Sequence, residues 1–281
     1  MVTRNDVKQA VLAAGVCPGD IVLVHSSFKS LGPVEGGAET VIAGFLDAIG
    51  PEGTLVLPTF TSKDFANAYN TWHINKPSDT GWLTEYFRTR PGSYRSDQAT
   101  HAVAAAGAKA QWLTQTHGHT HKLFGNMGDT PFSDDSPWAK MHQENAKILM
   151  LGVTPRYTTF RHYVEYHYIN DCLAKIEGTP VYDAMKDELW QWGKPGIWPH
   201  VCNMWVTEQM EKQGQIRKTQ CGEATFTCYD TKDFVETTRH YLETREPHAL
   251  WDDFTKGSEG WIPTWMDWLD RVDAAAAKKE K

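Results

Sequence analysis

The stretch Ile21-Val22-Leu23-Val24-His25-Ser26-Ser27-Phe28-Lys29-Ser30-Leu31-Gly32, with its continuation to Pro58, decides the fold. Residues 21–24 are continuously apolar and β-branched at Ile21, Val22 and Val24, as a strand covered on both faces must be. A glycine-containing loop follows over residues 28–37, and after it Val41, Ile42, Phe45, Leu46 and Ile49 recur on one helical face. Pro51-Glu52-Gly53 turns the chain into a second buried strand, Thr54-Leu55-Val56-Leu57-Pro58. Strand, loop, helix, turn and strand within roughly 40 residues make a βαβ unit, so the fold class is α/β. The expected architecture is a mainly parallel central sheet flanked by helices.

Upstream, Thr3 followed by Asp6 reads as a helix N-cap, and Val7, Ala10, Val11 and Ala14 keep helical spacing. Gly15 stands where a left-handed C-cap is expected, before the turn Pro18-Gly19-Asp20. Downstream, Ala102-Val103-Ala104-Ala105-Ala106-Gly107 reads as a small-residue strand, and Lys147-Ile148-Leu149-Met150-Leu151-Gly152-Val153 as a further one. A loop over residues 154–160 leads into a helix beginning near Arg161. Beyond Glu177 the periodicity weakens. Trp190, Trp192, Trp198, Trp205, Trp251, Trp261, Trp265 and Trp268 are dispersed among Gly and Pro, which predicts loops and short strands anchored by aromatics. The whole chain, 1–281, is expected as a single domain with an α/β core in residues 1–175 and a Trp-rich, substrate-side elaboration in residues 176–270. Residues 274–281 read as a frayed tail.

Of the 281 residues, 41% are apolar, enough for a substantial core, which excludes wholesale disorder. No apolar run approaches the roughly 20 residues of a membrane-spanning helix, and the first residues lack the apolar centre of a secretory signal. The net charge of -7 argues against a non-specific nucleic-acid binder, which needs a basic face. Five cysteines (Cys17, Cys172, Cys202, Cys221, Cys228) form no Cys-x-x-Cys, a usage that fits a reducing cytoplasm better than a disulfide scaffold.

Two segments stand out for chemistry. In Arg161-His162-Tyr163-Val164-Glu165 the imidazole and carboxylate stand three apart at a helix start, so both can leave one face. An imidazole whose tautomer a carboxylate fixes is the standard make-up of a general base, and an ordinary surface pair has the same spacing. It lies just past the C-terminal end of a buried strand, where open α/β sheets place ligands. The loop from His25 to Gly32 offers three hydroxyls, free backbone N–H groups and Lys29 ahead of a helix entry at Gly36-Gly37. Such a loop can hold phosphates or an acyl carbonyl, or be a plain polar crossover. It matches neither the P-loop nor the dinucleotide fingerprint.

Other patterns are weaker. His117-Gly118-His119-Thr120-His121 alternates as zinc ligands can, but no Cys pair or His-Glu-x-x-His accompanies it, and no metal is expected. His101 reads equally as a pocket or a core histidine. Gly-x-Ser-x-Gly is absent, and no cysteine stands in a nucleophile context.

In this order, the segments resemble the aminoglycoside 3-N-acetyltransferase family. The likeness is carried by Val24-His25-Ser26-Ser27-Phe28-Lys29-Ser30-Leu31-Gly32-Pro33, Gly36-Gly37-Ala38-Glu39-Thr40 and Gly53-Thr54-Leu55-Val56-Leu57-Pro58-Thr59-Phe60-Thr61. It continues through Arg95-Ser96, Thr100-His101-Ala102-Val103-Ala104-Ala105, Asp135-Ser136-Pro137-Trp138, Leu149-Met150-Leu151-Gly152-Val153 and Thr158-Thr159-Phe160-Arg161-His162-Tyr163-Val164-Glu165. The likeness covers most of residues 1–175 and thins beyond them.

The resemblance implies a cytoplasmic transferase that moves acetyl from acetyl-coenzyme A to an amine of an amino sugar, on a fold distinct from the GNAT acetyltransferases. It implies His162 as catalytic base with Glu165 as its orienting acid. It places His25, Ser26, Ser27, Phe28, Lys29, Ser30 and Leu31, with Thr100 and His101, at the coenzyme. The implied acceptor is the 3-amino group of a 2-deoxystreptamine antibiotic. Two departures bear on this. Arg161 replaces the family's apolar residue before the histidine, so a charge adjoins the proposed base. Thr71-Trp72-His73-Ile74-Asn75-Lys76-Pro77 stands where the family often has Phe-Asp-Pro, an acid for the cationic acceptor. Asp64, Asp79, Glu223 and Asp230 are the candidate replacements.

The expected partners are a small-molecule amino sugar or aminoglycoside, with no nucleic acid and no membrane; a homodimer is left open. Two other readings stay open: acylation of a non-antibiotic amino sugar or natural-product amine, and a non-catalytic binding protein on the same fold.

Overall fold

The computed structural model describes residues 1–61, 63, 67–117, 130–190, 198–250 and 261–279. Among them, the strands are β1 (Ile21–Ser26), β2 (Thr54–Pro58), β3 (Tyr94–Arg95), β4 (Val103–Gly107), β5 (Lys147–Leu151), β6 (Arg217–Cys221) and β7 (Ala224–Asp230). They form one sheet in the order β3-β4-β2-β1-β5-β7-β6.

The expected βαβ unit lies at its centre. β1 pairs parallel with β2, Val22 opposite Leu55, and parallel with β5, Val24 opposite Leu149. The two faces show why β1 reads as unbroken apolar sequence. Leu23 packs with Val56, Ile148, Trp138 and Phe160 on one face, while Val22 and Val24 pack with Val7, Val11, Phe45 and Phe226 on the other. A strand buried on both faces has no position that water selects as polar.

Outside that centre the sheet departs from the mainly parallel arrangement predicted. β4 runs antiparallel to β2 and β3, and β7 runs antiparallel to β5 and β6, so the sheet is mixed. At one margin the cause is local. Gly222 and Glu223 alone join Cys221 to its partner Ala224, and a two-residue turn can connect only antiparallel strands. Gly222 holds φ at +56°, and a Cβ there would come within 2.4 Å of the Leu31 carbonyl.

The helices are α1 (Arg4–Ala13), α2 (Ala38–Ile49), α3 (Ala68–Thr71), α4 (Trp82–Thr89), α5 (Ala110–Thr114), α6 (Pro137–Gln143), α7 (Arg161–Ile176), α8 (Tyr182–Trp190), α9 (Asn203–Lys212), α10 (Thr231–Glu243) and α11 (Trp261–Lys279). Thr3 caps α1 as expected: its hydroxyl accepts from Asp6 N at 3.2 Å, and Asp6 Oδ2 accepts from Thr3 N at 2.9 Å.

The second half corrects the expectation of loops and short strands. It contributes β6 and β7 to the central sheet and is otherwise largely helical among the described residues. Its tryptophans bind helices together. Trp265 and Trp268 stack at 5.2 Å, and Trp268 Nε1 donates to the Met185 carbonyl of α8 at 3.1 Å. The expected frayed tail is helical as far as Lys279, the last turns of α11.

Candidate active site

β1, β2 and β5 run in one direction, so their C-terminal ends share one edge of the sheet, where open α/β sheets hold ligands. A cleft of about 340 Å³ opens there. His25 and Ser26 enter it from β1, Pro58 and Phe60 from the end of β2, and Thr80 and Thr84 from the approach and first turn of α4. Val153, Tyr157 and Thr159 close it from the loop between β5 and α7.

The serine loop is packed directly on that edge. Ser27 N donates to the Leu151 carbonyl at 2.8 Å, and Ser30 donates to the Ser27 carbonyl through N at 3.1 Å and Oγ at 2.6 Å. Ser30 lies so close to Gly152 that a Cβ there would fall 1.7 Å from Ser30 Oγ, and Gly152 has φ +60°. Ser26, Ser27 and Phe28 are half-buried and Lys29 is exposed. Leu31, expected against the coenzyme, is instead 1% exposed and belongs to the core under the loop.

His25 is 7% exposed, and its Nε2 is buried without a hydrogen-bond partner among the described residues. Burial pushes its pKa down to about 4, so the ring is neutral near pH 7. A neutral imidazole nitrogen left unmet, beside the hydroxyls of Ser26, Thr80, Thr84 and Thr159, suits a ligand rich in amide and carbonyl groups. The pantetheine arm of acetyl-coenzyme A has that chemistry, so the residues present fit the coenzyme.

The histidine–carboxylate pair forms as the spacing predicts. His162 Nδ1 meets Glu165 Oε2 at 2.7 Å across one turn of α7. Glu165 is fully buried. Its Oε2 also accepts from Trp198 Nε1 at 2.8 Å, and its Oε1 from Val201 N at 2.8 Å. Burial alone would raise its pKa; the His162 charge and hydrogen bond, with Arg161 and His200, outweigh that and hold it down to about 2. An ionised carboxylate only accepts, so His162 Nδ1 carries the proton of this bond and Nε2 is the nitrogen left to exchange one.

Arg161 points its charge at the carboxylate: Nε stands 4.0 Å from Glu165 Oε1, and Nη1 donates to the Val201 carbonyl at 3.0 Å. The imidazole of His162, its side chain 21% exposed, stands one ring beyond the cleft wall. Phe60 of that wall packs on His101 at 5.5 Å, and His101 meets His162 edge-on at 5.6 Å.

Thr100 and His101 were expected at the coenzyme. Thr100 is fully buried, and His101 is 4% exposed against His162 and Phe132. Gln98 Oε1 accepts from Thr100 N, Thr100 Oγ1 and His101 N. Because the Thr100 hydroxyl proton goes to Gln98, Thr100 Oγ1 accepts from His101 Nδ1 at 2.9 Å. Desolvation, with the neighbouring His162 and His117, holds His101 neutral. It is therefore a fixed wall of the His162 pocket.

The candidate acceptor acids scatter. Asp79 adjoins Thr80 of the cleft, and its Oδ2 accepts from Lys63 N at 2.8 Å. Glu223 is exposed in the β6–β7 turn, its side chain beside Gly32. Asp230 lies at the opposite end of the sheet, level with Lys147 at the start of β5, and is paired there with Lys147 and with Arg217 at 2.8 Å. A carboxylate held by two cations at the far edge of the sheet is a structural group. Asp64 lies outside the described residues.

The alternating histidines do not make a described metal centre. His117 is fully buried, with Nδ1 on Ser96 Oγ at 2.8 Å and Nε2 on the Pro131 carbonyl at 2.9 Å, while His119 and His121 lie outside the described residues. Among the described residues no cluster of three or more His, Cys, Asp or Glu could hold a metal ion, and no helix is long and apolar enough to cross a membrane. Trp198 and the Val201 amide, the braces of Glu165, were not foreseen. Nothing in a spacing of more than thirty residues links them to Glu165.

An α/β sheet with a strand-end cleft and, one ring beyond its wall, an imidazole hydrogen-bonded to a buried carboxylate is an arrangement able to accept a proton. Comparison with known proteins narrows that class. The family model described as aminoglycoside 3-N-acetyltransferase matches residues 23–243, and the chain belongs to that family of acetyl-coenzyme A-dependent acetyltransferases, apart from the GNAT fold. Aminoglycoside N(3)-acetyltransferase III of Salmonella sp is 31% identical over 279 aligned residues, covering 86% of this chain and 92% of the relative. The solved structure of AAC-IIIb in binary complex with CoASH matches with a TM-score of 0.67 at 24% identity, over 86% of this chain and 97% of that one. The apoenzyme of aminoglycoside acetyltransferase AAC(3)-IVa matches with a TM-score of 0.69 at 22% identity, over 94% and 97%.

Proposed function

We propose that the chain acetylates an amine of an aminoglycoside, the 3-amino group of a 2-deoxystreptamine ring, by direct transfer in a ternary complex with His162 as general base. The observation that carries this reading is the His162–Glu165 bond at 2.7 Å, which commits Nδ1 and leaves Nε2 as the acceptor of a ring that stands one side chain, His101, beyond the Phe60 wall of the strand-end cleft.

Acetyl-coenzyme A supplies an activated thioester. The chain's own residues do the rest. An amino-sugar amine is largely protonated near neutral pH and attacks only as the free amine, its first proton given up to solvent; His162 Nε2 accepts the second as the nitrogen–carbon bond forms and the carbon–sulfur bond breaks. Glu165, held ionised, stabilises the imidazolium and keeps the ring's orientation. The proton then passes to the departing sulfur, which leaves as a thiol. Ser26 and Ser27 hydroxyls and the His25 ring hold the donor, and backbone N–H groups of the loop offset negative charge developing on the thioester oxygen.

Thiol release from acetyl-coenzyme A, measured with gentamicin-like, kanamycin-like and hexosamine acceptors, tests the reading. His162→Ala is expected to lower turnover by roughly 10²–10⁴-fold. Near-normal turnover of that variant would exclude the base role.

One observation favours the second reading, acetylation of a less cationic amine. Among the described residues the cleft lining holds hydroxyls, aromatics and His25 but no carboxylate. A polycation is held chiefly by carboxylates. Faster turnover of a simple hexosamine than of any deoxystreptamine antibiotic would select it.

A further inference from the structure

We infer that Arg161 is a positioning residue of the reaction: it offsets the charge of Glu165, extending to lower pH the range in which the His162–Glu165 pair works. It also pins the segment that closes over the carboxylate. The inference deepens the reading of His162 as base and rests on it.

The helix dictates the direction of the charge. Arg161 and Glu165 stand four apart on α7 and share a face, whereas Arg161 and His162 are consecutive and diverge by about 100°. The guanidinium accordingly lies against the carboxylate, Nε 4.0 Å from Oε1, in a setting where Arg161 is 7% exposed and Glu165 fully buried. With the imidazole neutral, the three side chains sum to zero. Protonating His162 therefore adds a positive charge beside the one Arg161 already brings. With an apolar residue at 161 the same protonation would neutralise the site instead. Removing Arg161 should thus favour the imidazolium by about one pH unit, the lower end of what a neighbouring charge does.

Among the described residues, the other groups facing the pair do not supply such a charge. From the segment ahead of β4, His101 meets His162 edge-on and is kept neutral by burial. From the segment ahead of α9, Trp198 donates an uncharged N–H, and burial holds His200 down to about 4. Phe132 contributes a ring at 6.2 Å. Arg161 is the permanent charge acting on Glu165 among the described residues.

The same guanidinium fastens the second brace. Nη1 donates to the Val201 carbonyl at 3.0 Å, and the Val201 amide donates to Glu165 Oε1 at 2.8 Å. Residue 201 is thus held from both sides, and Glu165 keeps its orientation through a neighbour that Arg161 fixes.

The test compares wild type with Arg161→Met and Arg161→Lys by two readouts: the NMR titration of the His162 ring without substrate, and the pH profile of kcat/KM for acetyl transfer. In Arg161→Met the ring titration midpoint and the acid limb of the profile are both expected to move up by about one pH unit. Arg161→Lys, which keeps the charge, is expected to restore both. An unchanged midpoint in a folded Arg161→Met protein overturns the inference. A midpoint that moves while the acid limb stays where it was leaves the assignment of Arg161 intact and removes His162 as the base. Should Arg161→Met fail to fold, Arg161→Gln, which keeps a donor for Val201 without the charge, carries the same comparison.

Discussion

Trp198 donates its indole N–H at 2.8 Å to Oε2 of Glu165, the oxygen that also receives Nδ1–H of His162 at 2.7 Å. With the Val201 amide on the other oxygen, the carboxylate is fixed in rotation and cannot exchange partners. The tautomer of His162 thus depends on a residue from the segment ahead of α9, 33 residues beyond Glu165. Such outer contacts decide where a base points as much as the base itself does.

Trp198→Phe keeps the ring and removes the donor. The charge-assisted hydrogen bond is lost while packing persists, so turnover is expected to fall by about tenfold, in line with roughly 1.5 kcal/mol for a bond to a charged group. The KM for acetyl-coenzyme A should hold steady, because Ser26 and His25 are untouched. Active-site titration beside the steady-state kinetics distinguishes this from a general loss of folding, which lowers the active fraction and leaves turnover per active site unchanged.

The central βαβ unit was legible because burial on two faces leaves no choice but unbroken apolar sequence, and the catalytic candidates because three residues along a helix is a contact distance. The directions of β4 and β7 were not legible: an apolar strand reads alike whichever way its neighbour runs. The use of Trp198 was hidden for a related reason. Its indole serves through one N–H toward a residue distant in sequence, and neither composition nor period records such a pairing. Asp230 carried the opposite lesson. A carboxylate suits a cationic antibiotic and a Lys–Arg pair equally, and only its place at the wrong end of the sheet separates the two.

Asp230→Asn is therefore expected to cost stability and spare the acceptor. The Asp230 side chain is 10% exposed and Arg217 37%, so solvent screens part of the pair, and a loss of about 1–3 kcal/mol in chemical denaturation is expected. The KM for every acceptor should be unchanged. A raised acceptor KM in a protein of normal stability would return Asp230 to the substrate site.

Gly152→Ala probes the junction of the serine loop with β5. A Cβ at this position would stand 1.7 Å from Ser30 Oγ, and φ of +60° disfavours any L side chain. Ser30 must move, and with it the turn that its two bonds to the Ser27 carbonyl hold closed. Thermal melting should report a loss of about 1–3 kcal/mol. Calorimetry with coenzyme A should show weakened binding, while the intact His162–Glu165 pair leaves turnover at saturation within about threefold of wild type. Unaltered coenzyme A affinity would mean that this loop does not carry the donor.

His117 gives the pH dependence of stability. Its Nε2–H donates to the Pro131 carbonyl; Ser96 Oγ accepts from Val103 N and gives its own proton to Nδ1. The ring is complete as a neutral tautomer, and burial pushes its pKa down to about 3. The unfolded chain binds a proton at this histidine below its ordinary value of about 6.5, the native chain only below about 3. Stability is therefore greatest above pH 6.5 and falls as the pH drops from there toward 3, with His25, held at about 4 by burial, adding to the slope in the same direction. Each such group contributes about 1.4 kcal/mol per pH unit within its window. His117→Gln can still donate to Pro131 but cannot take up that proton, so its denaturation free energy should fall less steeply between pH 6 and 4, by about one proton's worth of slope. Equilibrium urea unfolding across that range measures it, and parallel slopes for the variant and wild type would show that His117 is not buried as a neutral ring.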